Sequence, residues 1–218
     1  MKNKIIDRET FRSMLKDDMT IMFGGFMTVG TSDVLIDEIL KSGIKGIIAI
    51  SNDAGYEDKG IGKLIKNGQV KKLYTSHIGL NPLAGKMMSE GTLEIELNPQ
   101  GTLAERIRSA GAGLGGVLTP TGIGTYIEKG KQIVEVRGKK YILEEPLKAD
   151  LAIIRGSVVD KLGNVVYAKT ARNFNPIMAT AADIVVVGAD EIVEIGSLDP
   201  ERIITPHIFV DYIVKEDM

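Results

Sequence analysis

The chain contains no cysteine, no tryptophan and only two histidines among its 218 residues. Without cysteine there can be no disulfide, no thiolate nucleophile and no zinc ribbon. His77 and His207 lie far apart, and neither stands in a cluster of Asp and Glu that spells a ligand set. No metal site is expected, and each histidine reads as structural. Neither has a G-x-S-x-G elbow to serve, which removes a Ser-His-Asp hydrolase. No excess of either charge exists: 27 basic residues face 29 acidic ones, without a long run of one sign. That argues against a nucleic-acid or membrane surface. No apolar stretch approaches the roughly 20 residues that span a bilayer, and no charged leader precedes an apolar core. A soluble, cytoplasmic protein is the expectation. What remains is 44% hydrophobic content, enough for one sizeable core and one domain over residues 1–218.

The stretch around which the rest is organised is Thr20-Ile-Met-Phe-Gly24-Gly25-Phe26-Met27-Thr28-Val29-Gly30-Thr-Ser-Asp33. An apolar run meets paired glycines, then a third glycine, then a Thr-Ser-Asp triplet and apolar residues at helical spacing from Val34 to Leu40. This reads as strand, tight loop, N-cap and helix. Glycines allow positive φ and leave backbone N–H groups open to a ligand, and a helix start beyond suits an anion. It is not a nucleotide loop of the common kinds, since no Gly-Lys-Ser/Thr follows and the glycines do not fit G-x-G-x-x-G. A plain connection that merely needs glycines is the competing reading.

Arg8 to Lys16 has the pattern of an amphipathic helix. Further strands are expected at Gly46–Ile50, Val70–Thr75 and Leu93–Leu97, with helices at Asp33–Leu40, ending by Gly43, and Ile61–Lys66. The alternation of apolar and acidic residues in Leu93–Leu97 leaves one face wet. Strands separated by helices imply βαβ units and a parallel sheet. The fold expected is α/β: a mainly parallel sheet with helices on both faces. Two later runs, Ala149-Asp150-Leu-Ala-Ile-Ile and Ala182-Asp183-Ile-Val-Val-Val, open alike and read as buried strands, with a Gly163-Asn164 turn and a short strand, Val165–Ala168, between them. Gln132–Val136 and Lys140–Leu143 flank an Arg-Gly-Lys turn and read as a small hairpin excursion on the sheet. In parallel sheets ligands sit beyond the carboxyl ends of the strands. The loops to watch are therefore Gly24–Gly30, Ser51–Gly55, Ser76–Asn81 and Asn98–Gly101.

Asn98-Pro-Gln-Gly101 leads into Thr102-Leu-Ala-Glu105, a capping box that starts a helix through Arg108. Gly111, Gly113 and Gly116 then match G-x-G-x-x-G literally. A dinucleotide fingerprint needs a strand before it and a helix after it. Here a helix precedes and Thr119-Pro-Thr-Gly-Ile-Gly-Thr125 follows, so the match is a decoy. Leu114, Val117, Leu118 and Ile123 call for burial, which makes the segment something other than a linker.

Gly24-Gly25-Phe26, three residues, Gly30 resembles the signature loop of the family I (3-oxoacid) coenzyme A-transferases, although that pattern continues Gly-x-Pro where Thr31-Ser32 stands here. The run Asn98-Pro-Gln-Gly-Thr-Leu-Ala-Glu-Arg-Ile-Arg108, the glycine-rich stretch with Thr119–Thr125, and Lys169-Thr-Ala-Arg-Asn-Phe-Asn-Pro176 are similar to the A (alpha) subunits of that family, closest to those of bacterial butyrate–acetoacetate and acetate CoA-transferases. The likeness covers about Asp18 to Pro206. It implies a CoA-transferase fold of the NagB-like kind and the transfer of coenzyme A between acyl-CoA and a short-chain carboxylate. No permanently bound cofactor is implied; acyl-CoA is substrate. It implies a beta subunit as partner, in an α2β2 assembly. Gly24, Gly25, Phe26, Met27, Thr28, Val29 and Gly30 would form the coenzyme A loop, and Asn52 and Gln100 would face the reacting acyl end. Asp53 stands where some members have a second asparagine.

CoA transfer through the enzyme needs a carboxylate nucleophile with an oxyanion site beside it. By resemblance that glutamate belongs to a Ser-Glu-Asn-Gly motif of the beta subunit. The nearest match here, Ser89-Glu90-Gly91, lacks the Asn and reads as a solvated turn. The chain then carries half an active site. Two other readings stay open: a non-catalytic acyl-CoA or nucleotide sensor, and a sugar-phosphate isomerase on a related sheet.

Overall fold

The computed structural model describes residues 3–216. In chain order the elements are α1 (Arg8–Ser13), β1 (Thr20–Phe23), α2 (Asp33–Ser42), β2 (Ile47–Ser51), α3 (Gly62–Lys66), β3 (Val70–Thr75), α4 (Pro82–Ser89), β4 (Glu94–Leu97) and α5 (Gln100–Gly111). There follow β5 (Val117–Thr119), β6 (Ile133–Val136), β7 (Lys139–Glu144), β8 (Ala149–Asp160), β9 (Val165–Val166), α6 (Asn175–Met178), β10 (Ala182–Val193) and β11 (Tyr212–Lys215).

The central sheet runs β11-β10-β8-β1-β2-β3-β4, with β9 added on β8. All of its pairings are parallel except β9 on β8. Ile21 of β1 sits between Ala49 of β2 and Leu151 of β8. The chain steps from β1 to β4 in one direction, and its second half then builds outward from the other edge of β1. That makes β1 the topological switch point, where open α/β sheets open a crevice at the carboxyl ends of their strands. The loop at Gly24 begins there.

Alternation along the buried strands feeds two cores. Ile21, Phe23, Leu151, Ile153 and Val186 point to one face, against Phe11 of α1, Leu35 and Ile39 of α2, Leu64 of α3 and Ala84 of α4. Met22, Ala152, Ile154, Val185 and Val187 point to the other, against Leu103 and Ile107 of α5 and Met178 of α6. Helices thus cover both faces, as the alternating β/α pattern predicts. Each fully buried large side chain contributes about 1.5–3 kcal/mol of transfer free energy. Ser32 caps α2 by accepting from Leu35 N at 3.2 Å, and Gly43 ends it in the left-handed region at φ 70°. Asp150, of the recurrent Ala-Asp step, accepts from Thr20 N at 2.8 Å and ties β8 to the start of β1. Among the described residues no helix is long and apolar enough to cross a membrane.

Two expectations are corrected, the start of α5 and the burial of the glycine-dense segment. The helix α5 starts two residues before Thr102: Pro99 is its N-cap position, and no side chain caps it. A proline with a fixed φ serves where the predicted Thr102–Glu105 box is left unused. The hairpin, whose Arg137-Gly138 turn has both φ angles positive (53° and 76°), is the small excursion expected, set apart from the main sheet. It joins β5 in a separate antiparallel sheet, β5-β7-β6. The glycine-dense segment therefore contains a strand, and in it Leu114 and Leu118 are exposed rather than buried. A three-stranded sheet on the flank has too little covering material within this chain to bury both of its faces.

Candidate functional site

Beyond β1 the backbone continues the sheet for one residue, with Gly24 N–H donating to Ile153 O at 2.9 Å. Gly25 then turns away at φ 122°. Phe26 and Val29 exchange two backbone hydrogen bonds, of 3.1 and 2.9 Å, so Met27 and Thr28 form a two-residue turn with φ of 50° and 67°. Non-glycine residues hold such angles at a cost of order 1–3 kcal/mol each, and only where their surroundings determine them. The surroundings are specific: Met27 N–H donates to Asp53 Oδ2 at 2.8 Å, and Thr31 Oγ1 donates to Gly24 O at 3.1 Å. Phe26 and Val29 are left exposed at the tip.

The glycines meet the protein's own atoms, not open space. A Cβ on Gly24 would lie 1.9 Å from Asn175 Oδ1, and one on Gly25 would lie 2.0 Å from Thr31 Oγ1. The cavity enclosed between this loop and the next is about 10 Å³, too small for any part of a substrate. A ligand can meet the loop only from outside, on the Phe26–Val29 tip.

The next loops interlock with it. After β2, Asp53 accepts from Met27 N, from Asn52 Nδ2 at 2.8 Å and, through Oδ1, from Gly55 N at 2.9 Å. Asn52 is 2% exposed. Its Oδ1 accepts from Gln100 Nε2 at 2.9 Å and from Ser76 Oγ at 3.3 Å. Ser76 and Thr75, at the end of β3, also donate to Asn52 O. Gln100, the first residue of α5, is exposed. The predicted residues Asn52 and Gln100, on different strand ends, are therefore in direct contact, and of the two only Gln100 is exposed. Beside it, between α5 and β5, lies an open groove of about 600 Å³ lined by Pro99, Gly101, Thr102 and Leu118, among others.

No nucleophile stands in this arrangement. Asp53 is buried and three donors occupy its oxygens. Glu90 caps the carboxyl end of α4 on the approach to β4, at the end of the sheet remote from Gln100, and is exposed beside Lys86 at 3.8 Å. None of the four loops carries Lys or Arg, so the basic phosphate ligands that an isomerase would need there are missing from them. Among the described residues no group of His, Asp and Glu could hold a metal ion.

Comparison with known proteins places the chain. The coenzyme A transferase pattern matches residues 8–216. The acetoacetyl-CoA:acetate/butyrate CoA transferase alpha subunit of Clostridium acetobutylicum is 54% identical over 216 residues, covering 99% of both chains. The chain belongs to the coenzyme A transferase family. The acetate CoA-transferase subunit alpha of Escherichia coli K12 is 50% identical, over 98% of this chain and 97% of its own. Among solved structures, glutaconate coenzyme A-transferase of Acidaminococcus fermentans superposes with a TM-score of 0.84 at 21% identity, covering 97% of this chain and 75% of that one. An acyl-CoA transferase of E. coli O157:H7, solved as a thioester complex with CoA, gives 0.88 at 21%, over 99% of this chain and 47% of that one. This chain thus spans about half of that longer polypeptide, and both structures bear on the fold alone.

Three residues of this transferase chain that sequence reasoning passed over hold the loops in place. Arg106, buried in α5, donates to Asn98 Oδ1 at 2.6 Å, to Glu96 Oε1 at 2.7 Å and to Glu145 O at 2.8 Å, and so fixes the loop before Gln100. Its place on the apolar stripe with Leu103 and Ile107 was the available signal. Arg155 of β8 donates to Thr31 O at 3.0 Å and to Asp190 Oδ1 at 2.8 Å. Glu216, far along the chain, accepts from Ser32 Oγ and, at 3.3 Å, from Val34 N at the start of α2. Burial raises its carboxyl above the ordinary 4.5, against the opposing pull of the Ser32 and Val34 hydrogen bonds and of Arg155.

Proposed function

We propose that this chain is the alpha half of a heteromeric CoA-transferase that moves coenzyme A between a short-chain acyl-CoA and acetate, butyrate or acetoacetate, in the cytoplasm. Residues 1–218 act as one alpha-subunit domain, paired with a beta subunit in an α2β2 assembly. The observation that carries this is the near end-to-end match at 54% identity to a named alpha subunit. What supports it in the geometry is a site end made of neutral amides with no free nucleophilic carboxylate beside them.

The chemistry divides accordingly. A glutamate of the beta subunit attacks the acyl carbon of the thioester, forming an acyl–glutamyl anhydride and releasing CoA as thiolate. The thiolate attacks the glutamyl carbon, the carboxylate product leaves, and a glutamyl-CoA thioester remains. The acceptor carboxylate runs the same steps in reverse. Each attack places negative charge on a carbonyl oxygen. An amide NH₂ carries two hydrogens, and the bond to Asn52 uses one of those on Gln100. The other is the donor we assign to the developing oxyanion, at no cost of a trapped full charge. Asn52, buried, acts by orienting Gln100. The Gly24–Gly30 loop, through its Phe26–Val29 tip, receives the coenzyme A moiety.

The test is reconstitution. The chain alone should form no acyl-CoA from acetate, butyrate or acetoacetate, and should do so once its beta subunit is added. Transferase activity from the lone chain that Glu90→Gln abolishes would overturn the reading.

A further inference from the structure

The Lys169–Pro176 segment, prominent in the sequence, has no part in the chemistry above. In the structure Lys169–Arg172 form a turn of 3-10 helix, and the residues that follow reach the loop after β1. Asn173 Nδ2 donates to Val29 O at 2.9 Å, and Asn175 Nδ2 donates to Gly30 O at 2.9 Å. Two asparagines in an Asn-Phe-Asn step thus hold two consecutive carbonyls. Asn175 is wholly buried and its amide is fully used. It also donates to Ala171 O at 2.8 Å, and its Oδ1 accepts from Arg155 N in β8 at 3.1 Å.

The loop is shaped around this side chain. A Cβ on Gly24 would strike Asn175 Oδ1, and one on Gly30, which sits at φ 78°, would lie 2.9 Å from Asn175 Nδ2. Thr31 O, the next carbonyl, is held by Arg155. Val29, Gly30 and Thr31 are therefore all fastened from the β8 side, while Asp53 holds Met27 from the β2 side. Between these fixings the Met27–Thr28 turn keeps its left-handed angles. A strained turn persists only while its surroundings over-determine it, and these bonds are what does so.

We propose that Asn173 and Asn175 are positioning residues that set the shape of the Phe26–Gly30 turn, and that productive binding of acyl-CoA depends on them through that turn. The proposal rests on the reading that this loop receives coenzyme A. Releasing either carbonyl lets the turn relax and moves its tip. Misplacement on the scale of an ångström costs about 10- to 100-fold where the site needs a fixed geometry. The second half-reaction starts with CoA already attached to the partner's glutamate, so its dependence on the carboxylate acceptor should change little.

The experiment uses the enzyme reconstituted with its beta subunit and the variants Asn175→Ala and Asn173→Ala, the latter at a half-buried position. Steady-state rates are measured with butyryl-CoA and acetate varied in turn. The expected result is a fall of roughly 10-fold or more in kcat/KM for butyryl-CoA, with kcat/KM for acetate within about 3-fold of wild type. A side chain that only supports folding would lower the active fraction and scale both constants alike, and that outcome overturns the proposal. Should Asn175→Ala fail to assemble, Asn173→Ala alone decides. Phe26→Ala separates the two levels. If it weakens butyryl-CoA usage while the asparagine variants show no split, only the positioning role fails. If Phe26→Ala also leaves butyryl-CoA kinetics unchanged, the coenzyme A reading of the loop fails with it.

Discussion

Replacing Gln100 with alanine divides a chemical role from a structural one more cleanly than any other single change at this site. The structural loss can be worked out. Gln100 gives one hydrogen bond, from Nε2 to Asn52 Oδ1 at 2.9 Å, and that oxygen keeps Ser76 Oγ at 3.3 Å. A neutral hydrogen bond of this kind contributes about 0.5–1.5 kcal/mol net. At an exposed position, with alanine the better helix former and Pro99 holding the entry to α5, the loss should stay below about 1 kcal/mol. The chemical loss is larger. If the second N–H meets the oxyanion, its removal lowers kcat by about 100- to 1000-fold, equivalent to about 2.7–4 kcal/mol. Melting temperature and kcat measured on the same reconstituted sample compare the two. A near-native Tm with kcat down at least 100-fold is the expected result. A destabilised enzyme whose turnover per folded site matches wild type would remove Gln100 from the chemistry and leave it as a brace for Asn52.

Two further outcomes follow from the same contacts. Gly25→Val puts a branched side chain at φ 122° and within reach of Thr31 Oγ1; the apparent KM for acyl-CoA should rise while the subunits still assemble, and a fully active variant would reduce the loop to a connection. Glu216 gives a pH dependence of stability. Its folded carboxyl titrates above 4.5 because of burial, so the stability linked to its protonated form is present below 4.5 and is lost as pH rises through the folded value. Glu216→Gln should remove that loss. Urea midpoints of variant and wild type, compared across the acid-to-neutral range, should diverge with pH; a constant difference would refute the linkage.

The fold was legible because apolar alternation and helix stops agree along most of this chain. The run Val70–Thr75 is a strand from its first to its last residue, and Gly43 ends α2 where a C-terminal glycine should. The misreadings came from signals that are local, overridden by context that is not. Thr102-Leu-Ala-Glu105 spells a capping box, but Pro99 fixes the chain in an extended geometry and the helix begins at Gln100. Gly116-Val-Leu-Thr119 looks like the tail of a glycine-rich loop until β7 arrives to pair with it from later in the chain. The candidate site was legible in its members and not in its wiring. Asn52 and Gln100 are far apart in sequence, and nothing short of the parallel register of β2, β3 and β4 shows that one amide rests on the other. Nor could composition reveal that Asn175 decides the glycine at 24.

Asp53 shows how much the wiring matters to function. By resemblance it stands where an asparagine would offer a donor, and the substitution therefore looks like the loss of a contact to substrate. The geometry gives it a different task. Its carboxylate accepts from Met27 N, Asn52 Nδ2 and Gly55 N, three donors from two loops. An asparagine side chain has one carbonyl oxygen in place of two carboxylate oxygens and brings donors of its own, so it could not accept from the same three groups in the same way. The buried side chain is held in place by the three N–H groups that it gathers. It sets the distance between the turn proposed to meet coenzyme A and the Asn52-oriented amide of Gln100 proposed to meet the acyl oxygen. A single thioester has to engage both at once, so a fixed spacing between them is itself part of catalysis. On this reasoning the chain contributes no reacting atom, yet it holds the frame in which the partner's glutamate and the thioester are brought into line.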